Sequence, residues 1–574
     1  MDINNTIDYI RKHKLLFLVI TPAFFLYMIL IFPSGTFLCF REACGINFWG
    51  VHAHDGLWHS AIAHVSFRNF PFDSPIFSGE KLFGYNFFYD FLLFLLLKAG
   101  ISPLISYFKI LPIVWFIVFT FLLILLGRKI KDNPLFIGLF LFFNYFAGSF
   151  SYLLTLIHNQ TLKGSSTLLV QPAMYTMSNP PYAFSQLFFI VLLIMIKDKK
   201  FNLKSALLSG IVVSLIWGFK FYGGVIAFFL ISLYLFLAFF PKNIKKLAVF
   251  FSIIGFLSLF VILVLYNPFS SVKTGSILGF APFALIHPIT EEPNQFYLRN
   301  LTDARYFLVS QNRFSPRLIA IEIVNLLIFL FFYLGTRFLS LFYVLYLLVK
   351  RRLDKFDFVV LSSIIFSLIL TSLFVQKGEW WNTIQFFFYA IFLTTIYLTR
   401  MVFDFLSVAK KRRVIFTGIG VLMMLLSIPT TVDLLNIFTV TPGVTYISKE
   451  EMKALTFLQK QPKGIVLAPL YKKEWKSYEK MNPLWRYDDT AYISGISGQQ
   501  AFFSDIAMLK NTSISYEKRL EQMKRLDCSM LSQVDYVYEF RELPDDEKII
   551  IKCRPKNAQK IYDSGSIFIY SLAR

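Results

Sequence analysis

The stretch VHAHDGLWHSAIAH, residues 51–64, gathers four of the chain's seven histidines around a single acidic residue, Asp55. An aspartate, ionised at neutral pH, can take a proton from a hydroxyl as that hydroxyl attacks an electrophile. Imidazoles beside it, His54 and His59, can orient the carboxylate or the attacking group. If 55–66 is helical, Asp55 and His59 stand four residues apart on one face. The same three side chains could also ligate a divalent metal, although no closed zinc spacing such as a paired-cysteine motif accompanies them. Blander readings compete. Asp55 followed by Gly56 has the form of a helix N-cap, and His52, His54 and His64 suit a polar interfacial surface. The density of four His with one Asp tilts the balance toward function.

Further candidates lie downstream. FRNFPFDSPIFSGEKLFGYNFFYD (67–90) sets Arg68, Asp73, Glu80, Lys81, Tyr85 and Asp90 among aromatic residues and Pro/Gly turns. A segment lying at the lipid headgroups has this composition, and Glu80 and Tyr85 are its candidate substrate contacts. Residues 267–320 carry Arg299, Arg305, Arg313 and Arg317. A guanidinium fork matches phosphate oxygens, while ordinary pairing with Glu291, Glu292 and Asp303 explains the arginines equally well. QKGEWWNTIQFF (376–387) offers Lys377, Glu379, Trp380 and Trp381. Trp381 is a candidate sugar contact, set against the interfacial belt that tryptophans commonly form. Asn179, in the rigid turn SNPPYA, could line a cleft.

The elements that must position these residues are mostly apolar helices. The chain has 574 residues, 56% hydrophobic and 16% charged, with 69 Phe and 29 Tyr; its mean hydropathy is +0.58. A soluble surface of this size needs about 25% charged residues. The class is a polytopic α-helical membrane protein. Apolar runs of bilayer-spanning length fall near 15–32, 109–127, 134–156, 182–196, 205–222, 224–240, 247–266, 321–349, 357–375, 384–400 and 414–436, about eleven transmembrane helices. With a cytoplasmic N-terminus, the basic clusters at 127–131, 197–204, 241–246, 350–355 and 410–413 all fall inside, as the positive-inside rule requires. The run 87–100 would break that pattern as a span, so it reads as a helix at the outer interface. A cleaved signal peptide competes with the first span, but no convincing cleavage site follows it.

The formal charge is +22. Residues before Thr445 contribute +18 of it, mostly in short clusters between apolar runs, so the partner is anionic lipid rather than nucleic acid. Few ionisable residues lie in spans: Lys109, Lys220, Glu322 and Arg337. That sparseness disfavours a transport pathway. The long outer segments are then about 33–108, about 267–320 and everything after about 437. Residues 1–440 form one domain. Residues 441–574 form a small extracytoplasmic α+β domain, with helices at 447–461 and 514–525 and strands at 462–470, 535–540, 547–553 and 566–572. Cys39 and Cys44 lie in the first outer loop and Cys528 and Cys553 in the tail. Disulfides within each region, one bond across regions, and free thiols all remain open. Asn300 and Asn511 fit the glycosylation triplet, which arises often by chance.

HDGLWHSAIAHVSFRNFPF (54–72) and FSGEKLFGYNFFYDFLLFLLLKAGI (77–101) resemble the first outer loop of the GT-C superfamily of integral membrane glycosyltransferases, with its acidic residue followed by His. The tail, TYISKEEMKALTFLQKQPKGIVLAP with AYISGISGQQAFFSD, is similar to the outer domain of many bacterial members. No WWDYG-type motif stands in the tail, and no DxD in the second outer loop. The resemblance implies transfer of a sugar from a polyprenyl-phosphate donor to a hydroxyl of a lipid, glycan or protein acceptor, outside a bacterial plasma membrane. It places Asp55 as the catalytic acidic residue and His59 as the histidine after it, with the arginines at the leaving phosphate. A non-catalytic, flippase-like handler of lipid-linked glycan is the alternative, and an O-antigen-ligase-like enzyme a third reading.

Overall fold

A computed structural model describes residues 3–40, 43–198, 201–267, 278–311, 315–376, 378–407, 413–440, 443–477 and 481–572. Arg313 and Lys377, singled out above, lie outside the described residues, as does most of the basic cluster at 410–413. The chain divides into two compact units. One comprises Met1–Met28, Val114–Val264 and Gly275–Asn436; the other comprises Ile29–Ile113, Leu265–Thr274 and Ile437–Arg574.

Among the described residues, eight helices are long and apolar enough to cross a membrane, and two bent helix pairs raise that number to as many as ten. The run expected to span at 205–222 is the helix Leu203–Phe219. Its 17 residues rise about 26 Å, slightly less than the ~30 Å hydrocarbon core. Phe88–Lys98 has only 11 residues, a rise of about 16 Å, and cannot cross. The expected span 134–156 is one of the bent pairs, Pro134–Phe146 and Ser151–Asn159, turned by 49°.

The bend has a physical account inside the first unit. A broken helix leaves carbonyls without intrahelical partners, and a cation is the natural group to meet them. Arg337, fully buried, donates to the carbonyls of Phe143 (3.2 Å) and Ala147 (3.0 Å) and to Thr395 Oγ1 (2.8 Å). Gly335 sits two residues earlier with φ of +58°, and a Cβ there would lie 2.7 Å from the Gly148 carbonyl oxygen. The arginine noted inside a span therefore secures a helix break.

The second unit contains both small sheets that concern the site. After the first apolar helix, Thr36–Phe40 and Ala43–Phe48 form a hairpin closed by a Cys39–Cys44 disulfide. Ala43–Phe48 also pairs with Thr445–Ser448 from the tail, which pairs in turn with Asn482–Pro483. The other sheet has the order Ala558–Asp563, Ile567–Leu572, Tyr536–Phe540, Ile465–Leu467, Gln500–Ala501. Its first two junctions are antiparallel and its last two parallel. Cys528 and Cys553 form the second disulfide, so each region pairs its own cysteines.

The helices expected at 447–461 and 514–525 are Lys449–Gln459 and Glu517–Arg525. The strand expected at 547–553 is instead the short helix Ile549–Cys553. Tyr536–Phe540 already has a neighbour on each edge, and the Glu539 carboxylate accepts from Ile550 N at 3.0 Å. Tertiary partners override the β preference of three consecutive isoleucines.

Candidate active site

The helix His52–Val65 carries the titratable cluster. Gly50, at φ +52°, makes the turn before it, and Ser34 Oγ accepts from Trp49 N at 3.0 Å. The helix begins three residues before Asp55 and is capped by Val51 without a side-chain bond. Asp55 is therefore not the N-cap. It lies in the first turn, where a carboxylate is favoured by the helix dipole. His52 is not a surface residue either, and His64 is half-buried. His52 is fully buried, bonded at 2.8 Å to Ser34 Oγ and packed on Phe108 and Phe438. His64 bonds the Ser60 carbonyl, and burial pushes its pKa down to about 4. Neutral at pH 7, its Nδ1–H is the donor.

The same helix packs against Tyr492–Ser497 of the tail through small residues. Ser60 Oγ donates to the Gly495 carbonyl at 2.6 Å, and a Cβ at Gly495 would lie 2.7 Å from the Leu57 carbonyl oxygen. This close approach brings the following segment to the cluster. Ala501 N and Ser504 N donate to the carbonyls of Pro75 and Ile76, each at 3.0 Å. Asp505 then takes a left-handed backbone, φ +56°, a conformation that costs a non-glycine residue roughly 1 kcal/mol. The Asp489 carboxylate holds it there by accepting from Asp505 N (2.8 Å) and Ile506 N (2.9 Å).

Asp505 Oδ1 meets His54 Nε2 at 3.0 Å, while His54 Nδ1 lies 3.4 Å from Asp55 Oδ1. Burial opposes charge on His54, but Asp505, and then Asp55, outweigh it and raise its pKa to about 11. His54 is thus an imidazolium at neutral pH and both ring nitrogens donate. Burial also raises Asp489 to about 6, assisted by the Asp505 charge. Of the three linked side chains, Asp505 is fully buried, His54 is 20% exposed and Asp55 31% exposed. Asp55 is the carboxylate that can reach a substrate. His54, protonated, cannot act as a base; it can orient Asp55 and offset its charge.

His59 turns to a different partner. Its Nδ1 lies 2.6 Å from Asp90 Oδ1, with Tyr89 and Tyr107 packed on the ring. Among the described residues, no group of three or more His, Cys, Asp or Glu side chains is arranged to hold a metal. His54 and His59 are bonded to separate carboxylates instead.

The other expected contacts are distributed between the two units. Tyr85 and Glu80 share the unit of Asp55; Tyr85 Oη accepts from Trp58 Nε1 at 2.9 Å, and Glu80 is exposed. The arginines expected at the phosphate and Trp381 belong to the other unit. There Arg305 is taken by Glu322 (2.9 Å) and Glu291 (3.1 Å), the ordinary pairing considered above. Arg299 lies 3.7 Å from Asp303, and it lines an open groove together with Arg317. Trp381 packs against Trp380. Asn179 caps the helix Pro180–Lys197 and receives Lys220 Nζ at 3.2 Å.

Sequence reasoning did not assign Asp505, Asp489 or the role of Asp90. For Asp90 a signal was present: it is the single acidic residue in FFYDFLLFLLL (87–97), and a lone carboxyl in such a run needs a specific partner. For Asp505 no local signal distinguishes it from any other helix cap.

No protein-family model matches the sequence, and no curated protein matches it. Among solved structures, the chain is similar to the arabinofuranosyltransferase AftD from mycobacteria, determined by cryo-electron microscopy. The two are 11% identical with a TM-score of 0.48, over 98% of this chain and 40% of that one. The chain thus spans 40% of the length of AftD. It is also similar to the crystal structure of ArnT from Cupriavidus metallidurans bound to undecaprenyl phosphate, at 10% identity and a TM-score of 0.37, over 96% and 97% of the two chains. At these values neither likeness carries a conclusion about this chain.

Proposed function

We propose that the protein is an integral membrane glycosyltransferase of the GT-C type, moving a sugar from a polyprenyl-phosphate carrier to an acceptor hydroxyl on the extracytoplasmic face. The observation that carries this reading is the linked set Asp55, His54 and Asp505: one reachable carboxylate held beside an imidazolium that a buried carboxylate keeps charged. Asp55 accepts the proton as the acceptor oxygen bonds to the anomeric carbon. The bond from that carbon to the phosphate oxygen breaks, and polyprenyl phosphate leaves with the negative charge. His54 positions Asp55, and the His59–Asp90 pair fixes the helix that bears both. Arg299 and Arg317, which line one open groove, are the described arginines assigned to phosphate.

The test measures thermal stability of the full chain in nanodiscs against a panel of polyprenyl-phosphate sugars, for wild type and Asp55→Asn. A carrier at 100 times its Kd should stabilise the fold by about 2.7 kcal/mol. The expected result is that one carrier shifts both proteins and that Asp55→Asn consumes it about 10³-fold more slowly. If bare polyprenyl phosphate or finished glycolipid shifts the protein and no sugar carrier does, a lipid-handling role replaces transfer.

A further inference from the structure

The apolar helices Phe221–Phe239 and Ile244–Tyr266 follow one another through a short turn. Among the described residues, Ile244–Tyr266 is the least buried of the eight candidate spans, with 22% of its most apolar stretch covered by protein. Between the two helices runs an open groove of about 510 Å³, lined by residues 229–251 and wholly within the first unit. That volume falls within the roughly 300–1,000 Å³ of small-molecule sites.

The walls follow from the helical repeat. Phe229, Ser232 and Phe236 face the groove from the first helix, and Ile244, Ala248 and Phe251 from the second. Each set keeps the spacing of a single helical face. Ring contacts set the separation: Phe228 meets Phe251 at 5.7 Å, and Phe239 meets Phe250 at 5.4 Å. Between these pairs, Ser232 and Ala248 are too small to fill the space. Ser232 Oγ donates to the Phe228 carbonyl at 2.6 Å, so the polar side chain of the lining is satisfied within its own helix. Phe236, Ile244, Ala248 and Phe251 are exposed, and a ligand can reach them.

At the turn the groove ends in positive charge. Lys242, Lys245 and Lys246 stand there, all exposed. Other basic clusters are neutralised within the chain: Arg128, Lys129 and Lys131 by Asp132, Asp198 and Asp404, and Lys197 by Asp354. Among the described residues, Lys242, Lys245 and Lys246 form no ion pair with a carboxylate. Lys245 adjoins Ile244 at the edge of the groove, whereas Lys246 is turned about 200° from Ile244 around the helix.

We infer that this groove binds one anionic glycerophospholipid, with an acyl chain along Phe236, Ala248 and Phe251 and the phosphate beside Lys242 and Lys245. Close-packed protein leaves few gaps of this size, and a lipid tail is as apolar as these walls. The anionic headgroup meets the charge that no carboxylate of the chain meets. The lipid takes the place of the side chains that would otherwise join the least buried helix to its neighbour. The site is independent of the transfer chemistry proposed above.

The test is native mass spectrometry of the full chain released from nanodiscs of equal parts dioleoylphosphatidylglycerol and dioleoylphosphatidylcholine. The expected result is a phosphatidylglycerol retained on the protein in excess over phosphatidylcholine. Lys245→Gln should lower that excess about fivefold, the effect of removing one lysine beside an anionic headgroup. Lys246→Gln removes the same charge from the other side of the helix and should change the excess by less than about twofold. Ala248→Trp should abolish retention by filling the groove; the position is exposed, so the ring enters no packed core. Equal losses in the two lysine variants, or retention that survives Ala248→Trp at an unchanged melting temperature, would reduce the effect to general attraction at a basic surface and overturn the site. Equal retention of both lipids overturns the anionic ligand, and a dimer that Ala248→Trp dissolves would seat a second copy in the groove instead. The lysine variants alter only exposed side chains, so they decide the question even where Ala248→Trp fails to fold.

Discussion

Two histidine–aspartate pairs stand on one helix, five residues apart, and they differ mainly in what surrounds them. His59 and Asp90 are 7% and 0% exposed, 2.6 Å apart, with tyrosines packed on the imidazole. His54 reaches a carboxylate on each side, and one of these, Asp55, is nearly a third exposed. The sealed pair can fix a helix but cannot meet a substrate. The open set can do both, because the buried member, Asp505, fixes the geometry while the exposed member remains free to react. Identical residue types thus differ, through solvent access, in what they can meet.

Breaking the sealed pair should give the largest effect. Asp90→Ala strands a buried imidazole, and loss of one partner from such a pair costs about 3–5 kcal/mol. Chemical denaturation should show that loss, while turnover per folded molecule stays within about tenfold of wild type. A turnover loss near that of Asp55→Asn would move His59 into the chemistry and erase the contrast.

Asp505→Asn should act in the opposite sense. It removes the stronger of the two carboxylates that hold the His54 pKa near 11. His54 then deprotonates within the working range, and kcat falls on the order of 100-fold, about 2.7 kcal/mol in the barrier. The decisive readout is the pH–rate profile: the variant should gain a descending limb below pH 11 that wild type lacks. In wild type, the raised pKa means that the stabilisation from His54 is complete below about 6.5. It is lost as pH rises toward 11.

A third test concerns a buried carboxyl outside both pairs. Glu451, 1% exposed in the helix Lys449–Gln459, is raised by burial from 4.5 to about 8. A raised acid favours the folded state when protonated, so stability is lost as pH climbs from 4.5 toward 8. The slope is about 1.4 kcal/mol per pH unit in that window. Glu451→Gln should remove this slope from stability measured at pH 5, 6 and 7, without altering either histidine pair. An unchanged slope would place the pH dependence elsewhere, Asp489 being the next group to test.

Periodicity and length made most of the helices legible: a long apolar run has few stable forms besides a buried or membrane-crossing helix. The density of titratable groups at 51–64 likewise marked the helix that carries Asp55. What the local pattern could not show was the partner of each group. Asp55 and His59, at a spacing that suggests one joint device, turn to different partners, His54 and Asp90. Of the four arginines between 299 and 317, one proved tied to Glu291 and Glu322, and two line a groove together.

The sequence alone determined that the chain is a polytopic helical protein with a folded tail and a titratable cluster after its first apolar run, because hydropathy and charge density are local properties. Only the tertiary structure decided that the first loop and the tail share one compact unit, and that Asp505, 450 residues beyond Asp55, sets the charge on His54. Hydrogen bonds and desolvation act over a few ångströms in space, with no limit along the chain, and no spacing of residues in the sequence records them.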